Sequence, residues 1–371
     1  MKHTVTYSLA LLGLLLITLA GCKKEVIEGP AEPTEPGPAL TELPGTTDFN
    51  RRSFDAHTFG DQFLIQTENT SMRFDGSGAF GHAFDHADRR AADAVSSQLR
   101  ARVHPFSLAI SPIRGPFFSN FPGFVLGFDT LGTDIDIPFS SIEHPNRSSC
   151  LSDDNHFLLP FLKTGDERIW FAVAELFYPA EPEFLFAPEL RTLHTFPLDV
   201  TGSGYPRRGI TMYPVNEGFL ITLRTQENQN TYLIGYDGNY ESVLGLSPNH
   251  FFHFRGELYG ARNNAGNLEL MTADADGRNW RTAYRISNAF AESIRFFPAG
   301  NDLYMNARSS GQLSILTDLN DDTITFAALD AHVAMNRTIT DIAYYQGNTY
   351  VTTLSGTFLQ ETVSLRESRA E

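Results

Sequence analysis

Arginine recurs at one position in three similar segments of the C-terminal half of the chain. Arg224 ends FLITLR, Arg262 ends ELYGAR and Arg308 ends YMNAR, and each segment is a predicted β-strand. A planar guanidinium forms paired hydrogen bonds to a carboxylate, sulfate or phosphate, so adjacent strands of this kind predict a shared anion site. The ligand-binding hypothesis also includes three residues beside the neighbouring predicted strands: Arg208, His250 and Glu292.

The alternative interpretation is local. An arginine at a strand end often pairs with a nearby acid or extends its head group to water. The series is also incomplete, because the fourth similar segment has Leu354 at the corresponding position. Both interpretations stay open at the level of sequence.

Other reactive residue types do not form a complete set. His82 and His86 have the i, i+4 spacing of two metal ligands on a helix, but no third ligand is evident. Cys150 is predicted to be a buried apolar residue. The acid pairs Asp134/Asp136 and Asp321/Asp322 are interpreted as hydrated residues of turns rather than as calcium ligands. We therefore expect no catalytic residue set, no resident metal and no cofactor.

An internal repeat is the main architectural signal. Four units of three or four short strands align, and they span residues 209–246, 250–286, 293–329 and 340–365. The corresponding glycines are separated by 38, 44 and 47 residues: Gly218, Gly256, Gly300 and Gly347. Aromatic and β-branched runs between Gly, Asn, Asp and Pro favour strands throughout.

A four-stranded antiparallel unit of this length resembles a β-propeller blade. The resemblance implies an all-β fold of seven blades, with six or eight left open, and a short helical insertion near 82–102. The turn from Asp274 to Trp280 resembles a degenerate Asp-box of sialidase-type propellers, and Asp237–Tyr240 is a fainter copy. Such a turn is structural. The sialidase start motif Arg-Ile-Pro is missing, so a catalytic sialidase is disfavoured.

The N-terminus predicts export and lipidation. An uncharged apolar run from Val5 to Ala20 follows Lys2, and it is short enough to be a signal peptide rather than a membrane span. The segment Leu19-Ala20-Gly21-Cys22 resembles the lipobox of bacterial lipoproteins. The resemblance implies cleavage before Cys22 and its acylation with chains such as palmitate. No Asp follows Cys22, which resembles lipoproteins sorted to an outer membrane.

The predicted organisation therefore has three parts: a signal peptide at 1–21, a lipidated cysteine with a Pro/Glu-rich tether at 22–47, and a propeller domain at 48–371. The tether composition cannot bury a core and favours extended chain. A formal net charge of −16 disfavours nucleic acid as a partner.

We expect a membrane-tethered extracytoplasmic protein of the cell envelope that binds an anionic small molecule, glycan or peptide, or a partner envelope protein. Two alternatives remain. One is a glycan-active hydrolase or lyase on the same scaffold, and the other is a structural subunit of an outer-membrane complex.

Overall fold

The computed structural model describes part of the chain, and every structural statement below concerns that part. The described residues are 40–43, 53–59, 62–67, 70–74, 80–85, 109–111, 125–127, 137–138, 150–152, 156–162, 166, 168–177, 189–198, 210–224, 229–286, 294–307, 312–320, 323–329 and 339–368. Cys22, Arg208, Glu292 and Arg308 lie outside them, as does the side chain of Arg224.

The described residues form six antiparallel sheets and one short parallel pair. Sheet I holds β2 (Ser53–Phe59), β3 (Gln62–Thr67), β4 (Thr70–Phe74) and β5 (Phe80–Asp85). The parallel pair is β6 (Ala109–Ser111) and β7 (Val125–Gly127). Sheet II holds β8 (Ile137–Pro138), β9 (Cys150–Leu151), β10 (His156–Leu162), β11 (Ile169–Phe177) and β12 (Glu189–Leu198).

The remaining sheets follow in chain order. Sheet III holds β13 (Ile210–Val215), β14 (Gly218–Arg224), β15 (Gln229–Gly235) and β16 (Tyr240–Leu244). Sheet IV holds β17 (His250–Phe254), β18 (Glu257–Asn264), β19 (Asn267–Ala273) and β20 (Arg281–Ile286). Sheet V holds β21 (Ile294–Ala299), β22 (Asp302–Ala307), β23 (Gln312–Leu319) and β24 (Ile324–Ala328). Sheet VI holds β25 (Ile339–Tyr345), β26 (Asn348–Thr353), β27 (Gly356–Glu361) and β1 (Thr41–Glu42), and α1 (Thr362–Glu367) follows β27.

The four predicted repeat units correspond to sheets III to VI. The predicted glycines lie between the first and second strands of each unit or begin the second strand. In sheet IV the two turn residues, Arg255 and Gly256, have φ angles of 51° and 82°. Positive φ at both positions is the signature of the type I′ turn, whose twist matches that of a hairpin. The repeat therefore reflects a recurring strand–turn–strand geometry.

Sheets II to VI pack in sequential order, and sheet VI also packs against sheet I. Separate hydrophobic clusters lie between sheets II and III, III and IV, IV and V, and V and VI. A further cluster joins sheet VI to sheet I, where the buried Phe63 ring stacks on Tyr345 with centroids 5.0 Å apart. Both faces of sheets III to VI are thus buried against a neighbouring sheet. The last sheet of the chain closes onto the first, an arrangement typical of propeller blades.

The turn from Asp274 to Trp280 fixes the contact between sheets III and IV, as predicted for a structural turn. The Gly277 N–H donates to the Asp274 carbonyl at 2.9 Å, and the indole N–H of Trp280 donates to the Gly277 carbonyl at 2.8 Å. Gly277 has φ +80°, and a Cβ there would lie 2.9 Å from a methyl carbon of Leu220 in sheet III. Trp280 packs against the cluster between the two sheets. The fainter copy repeats this design, since Tyr240 stacks on Phe196 of sheet II.

The N-terminal strand β1 lies inside the stretch that the sequence assigned to the tether. Thr41 and Glu42 pair antiparallel with Leu359 and Phe358, so β1 is the fourth strand of sheet VI. Leu40 is 2 % exposed in the cluster between sheets V and VI, and Leu43 is 7 % exposed in the cluster between sheets VI and I. The folded region therefore begins by Leu40, earlier than the predicted boundary at residue 48.

Two local predictions are wrong. The predicted helical insertion at 82–102 begins in a strand, because residues 82–85 belong to β5 and pair with β4. Residues 86–102 lie outside the described part. The final predicted strand ends at Glu361, and the VSL segment after it lies in α1. Among the described residues, no helix is long and apolar enough to span a membrane.

Candidate functional site

The first strands of successive sheets lie side by side, and we call them the inner strands: β13, β17, β21, β25 and β2. Direct contacts join β17 to β21, β21 to β25 and β25 to β2. A hydrogen bond of 3.0 Å between the Tyr213 hydroxyl and His253 Nδ1 joins β13 to β17 at the fourth residue of each strand. Two contacts, Thr340 with Ser53 and Asp341 with Ala56, advance in the same direction along β25 and β2, so these two strands run parallel. We call the end at which the inner strands begin the entry end.

His250 begins β17 at the entry end, where the sequence placed it. Its Nε2 lies 2.9 Å from the carbonyl oxygen of Phe296 on the adjacent inner strand β21. The imidazole is partly buried and stacks near Phe252, with ring centroids 5.9 Å apart. His250 thus bridges sheets IV and V beside the entry end.

Arg295 is the second residue of β21 and is a cation that the sequence analysis missed. It is partly buried, and it directly precedes Phe296, the residue whose carbonyl meets His250. The signal that could have found it is its position, because it is the one charged residue within the apolar inner-strand segment IRFFPA. His250 packs beside Phe296 on one face of β21, whereas Arg295 shares the opposite face with Phe297, so the two side chains lie near the same end of adjacent inner strands but on opposite sides of β21.

Arg262 has an internal partner. It lies directly opposite Glu269 on β19, and its guanidinium donates to Glu269 Oε2 at 2.5 Å. Asn264 Nδ2 and Arg285 Nε donate to the other carboxylate oxygen at 2.7 and 2.9 Å. Glu269 is 1 % exposed, and a carboxylate this buried requires such partners.

The pKa of Glu269 is shifted in the direction that these contacts favour. Burial alone would raise the pKa of Glu269, but the hydrogen bond from Asn264 and the charge and hydrogen bond of Arg262 outweigh it. The hydrogen bond from Arg285 acts in the same direction, so the pKa of Glu269 is lowered. The carboxylate is ionised and orients two guanidinium groups at once.

Two of the six predicted ligand-binding residues have described side chains, and they occupy opposite faces of sheet IV. His250 pairs with Ala261 across the strands, so it shares a face with Ala261, whereas Arg262 is the next residue and points to the other face. The backbone of Arg224 ends β14 as predicted. Convergence of Arg224, Arg262 and Arg308 on one anion stays a prediction.

The other sequence candidates have structural roles or lie outside the described part. Cys150 is 1 % exposed in the cluster between sheets II and III, which confirms the prediction of a buried apolar residue. His82 lies in a strand, so the helical spacing with His86 does not apply. The acid pairs at 134/136 and 321/322 are outside the described residues. Within the described ranges, no group of three or more His, Cys, Asp or Glu side chains could hold a metal.

A shallow cleft lies at the opposite end of sheet IV. Its volume is about 230 Å³, and it is lined by the turn after β17 and the turn before β20. Arg281 donates to Thr272 at 3.2 Å and lies 4.0 Å from Glu257, which leaves charges of both signs on its wall. Its charged lining residues are two acids, Glu257 and Asp274, and one base, Arg281, so the cleft does not favour an anion.

The fold defines an all-β protein built from four-stranded antiparallel sheets. No protein-family model matches the chain, and none of the curated proteins matches it. Among solved structures, it is similar to streptogramin B lyase at 13 % identity, over 86 % of this chain and 95 % of that one, with a TM-score of 0.44. It is also similar to a glucose dehydrogenase at 10 % identity, over 87 % and 98 %, with a TM-score of 0.42. Both are propeller-type proteins, and the likeness assigns no activity to this chain.

Proposed function

We propose that this chain is a lipid-anchored binding protein of the bacterial cell envelope, most simply of the outer membrane, on a seven-bladed β-propeller. Six sheets in sequential order, with sheet VI against sheet I, support the propeller. The stretch 86–136 between sheets I and II exceeds the 38–47 residues that separate corresponding glycines. It is therefore long enough to supply a seventh blade.

The ligand is an anionic group bound at the entry end of the inner strands. The observation that carries this proposal is that two basic residues, His250 and Arg295, lie near the starts of adjacent inner strands, both partly buried and on opposite sides of β21. A local cation in a chain of net charge −16 creates a distinct site, because the surrounding acids repel anions elsewhere. An arginine held in a partly dry setting favours carboxylate or sulfate oxygens.

The anchor is Cys22. The apolar run and small residues before it support cleavage and acylation. Leu40 is the first described residue of the folded region and lies eighteen positions after Cys22. Eighteen residues of polyproline-like chain would span about 55 Å if fully extended.

The binding proposal is tested with the full-length protein in detergent micelles and with galacturonate and sulfated disaccharides as probes. Titration calorimetry should detect saturable binding that Arg295→Gln weakens about tenfold or more, as expected for a lost charge-assisted bond. Arg281→Gln is the matched control, because Arg281 is 74 % exposed on the outer strand of sheet IV. Equal affinity in both variants, or no binding by the wild type, would overturn the anion site.

The anchor is tested independently by substituting Cys22→Ser. The wild type should incorporate labelled palmitate and fractionate with the outer membrane, whereas the variant should lose the label. A variant that stays acylated would contradict the proposal.

The same assays address the two alternatives. Shortening of an anionic polysaccharide by the wild-type protein would favour a hydrolase or lyase. Stoichiometric co-purification with an outer-membrane protein, without saccharide binding, would favour a structural subunit.

A further inference from the structure

The chain passes from sheet III to sheet IV through residues 245–249, which we call the crossover. It joins the end of β16 to the start of β17, so it lies at the entry end. The Thr231 hydroxyl on β15 donates to the Leu246 carbonyl at 2.7 Å. The Ser247 hydroxyl donates to the Leu223 carbonyl on β14 at 3.2 Å. The first half of the crossover is therefore bonded to sheet III.

The second half of the crossover is held on sheet IV. The Asn249 N–H donates to the Ala261 carbonyl on β18 at 2.7 Å. A Cβ on Gly260 would lie 3.1 Å from Pro248 Cγ, so the Pro248 ring packs directly against Gly260. Gly260 faces sheet III, because Leu258, two residues earlier on the same strand, packs in the cluster between sheets III and IV. The crossover therefore covers the entry end of the gap between these two sheets.

Polar atoms without hydrogen-bond partners lie next to the crossover. Thr222 is fully buried and faces sheet IV, because Leu220, two residues earlier on β14, packs in the cluster between the two sheets. Its hydroxyl has no partner among the described residues, and the same is true of both polar atoms of the Asn249 side chain and of Arg262 Nε. Arg262 follows Gly260 on the face of β18 that the crossover touches. Four buried polar atoms of the described part are thus unpaired around one short segment.

The closed crossover is therefore only weakly favoured. A buried polar atom without a partner has lost its hydrogen bonds to water and gained none in exchange, so each of these four atoms opposes closure. The three hydrogen bonds that hold the crossover contribute little net stability, because bonds to water would replace them in an open state. Outward movement of the crossover would hydrate Thr222 and Asn249 without separating the strands of either sheet. Segments of this kind open locally at a lower free-energy cost than the core.

We propose that the crossover is a strap that opens and closes the gap between sheets III and IV while both sheets stay folded. The open strap admits water and small polar solutes to the wall of the gap that carries Thr222 and Arg262. The closed strap excludes them. This device goes beyond the proposed function and does not depend on it, because it requires neither an anionic ligand nor Arg295.

Amide hydrogen exchange on the full-length protein in micelles tests the strap, and two neighbouring threonines supply a matched pair of variants. Thr222 and Thr231 are direct cross-strand partners and both are fully buried, but only Thr231 bonds to the crossover. Thr231→Val removes that bond and should speed exchange of the Asn249 amide about fivefold. Thr222→Val removes an unpaired hydroxyl from the closed state and should slow the same exchange about fivefold. Exchange in β19 should be unchanged in both variants.

A thiol placed beneath the strap tests access directly. In Thr222→Cys, the new thiol should react with iodoacetamide at least about tenfold faster than Cys150, because local opening is more frequent than global unfolding. Cys150 is buried between sheets II and III and serves as the internal reference. Asn249→Leu removes two unpaired atoms from the closed strap, so it should slow labelling of the new thiol about tenfold.

Two results would overturn the strap. Equal labelling rates of the two thiols would mean that only unfolding of the whole domain exposes either one. Faster exchange of the Asn249 amide in both valine variants would mean that the Thr222 hydroxyl stabilises the closed state. If Thr222→Cys lowers the melting temperature, the exchange measurement on the valine variants decides alone. The galacturonate titration with Arg295→Gln reports separately on the proposed function.

Discussion

Replacement of Leu40 by alanine tests whether the segment after the predicted tether is part of the folded core. Leu40 is 2 % exposed and packs among buried residues of sheets V and VI. The substitution removes three carbon atoms, which corresponds to about 2.5 kcal/mol of transfer free energy. The cavity left behind raises the expected loss to about 2.5–5 kcal/mol.

The expected loss can be converted to a melting temperature. The folded region has about 330 residues, and an unfolding entropy of about 2.1 cal/mol/K per residue gives about 0.7 kcal/mol/K. Leu40→Ala should therefore lower the melting temperature by about 4–7 °C. Circular dichroism of the full-length protein in micelles measures this change.

The matched control is Leu354→Ala. Leu354 is 42 % exposed in the turn between β26 and β27, so its truncation should change the free energy of unfolding by less than about 0.5 kcal/mol. A melting temperature for Leu40→Ala within 1 °C (about 0.7 kcal/mol) of the control would refute the assignment of β1 to sheet VI. It would restore the tether boundary at residue 47.

Three further predictions concern sheet contacts and charge. Gly277→Ala should destabilise the protein by about 1–3 kcal/mol in thermal unfolding. The reason is that Gly277 has a φ of +80° and that a Cβ there would lie 2.9 Å from a methyl carbon of Leu220. Gly245→Ala is the control and should not destabilise the protein, because Gly245 faces open space. The lowered pKa of Glu269 adds stability above about pH 4.5 that is lost as pH falls through the folded-state pKa, so Glu269→Gln should flatten the acid decline of the melting temperature. Arg366→Gln should lower the free energy of unfolding by no more than about 1 kcal/mol, and by less at high salt, because 40 % of the side chain is exposed. Arg281→Gln is the control and should leave the free energy of unfolding unchanged in the same salt series.

The repeat was predictable because it is local. Strand, turn and glycine positions in sheets III to VI follow from residue types a few positions apart, and sheet IV has the predicted limits His250–Ile286. The Asp274–Trp280 turn was predictable for the same reason, since its hydrogen bonds join residues within that segment. Errors arose where strand and helix patterns compete in short polar segments, as at 82–85 and in α1.

The candidate site was only partly predictable. The sequence correctly put His250 at the start of an inner strand and Arg262 near the end of a second strand. The alternative that an arginine of this series pairs with a nearby acid is confirmed for Arg262. The sequence did not identify Glu269 as that acid, because the pairing of residues seven positions apart depends on the length of the turn between β18 and β19. The sequence also did not predict Arg295 as a candidate, because its position depends on how β21 packs beside the neighbouring inner strands.

By itself, the sequence determined the strand-rich repeat, the acidic charge, the turn chemistry and the expectation of a lipidated Cys22. These features depend on residue type and short-range spacing. The tertiary structure decided that β1 completes the last sheet, 318 positions from its partner strand in the Thr41–Leu359 contact. It also decided that one buried carboxylate, Glu269, pairs with both Arg262 and Arg285. Those outcomes depend on register and on packing between sheets, which bring together residues that no local pattern connects.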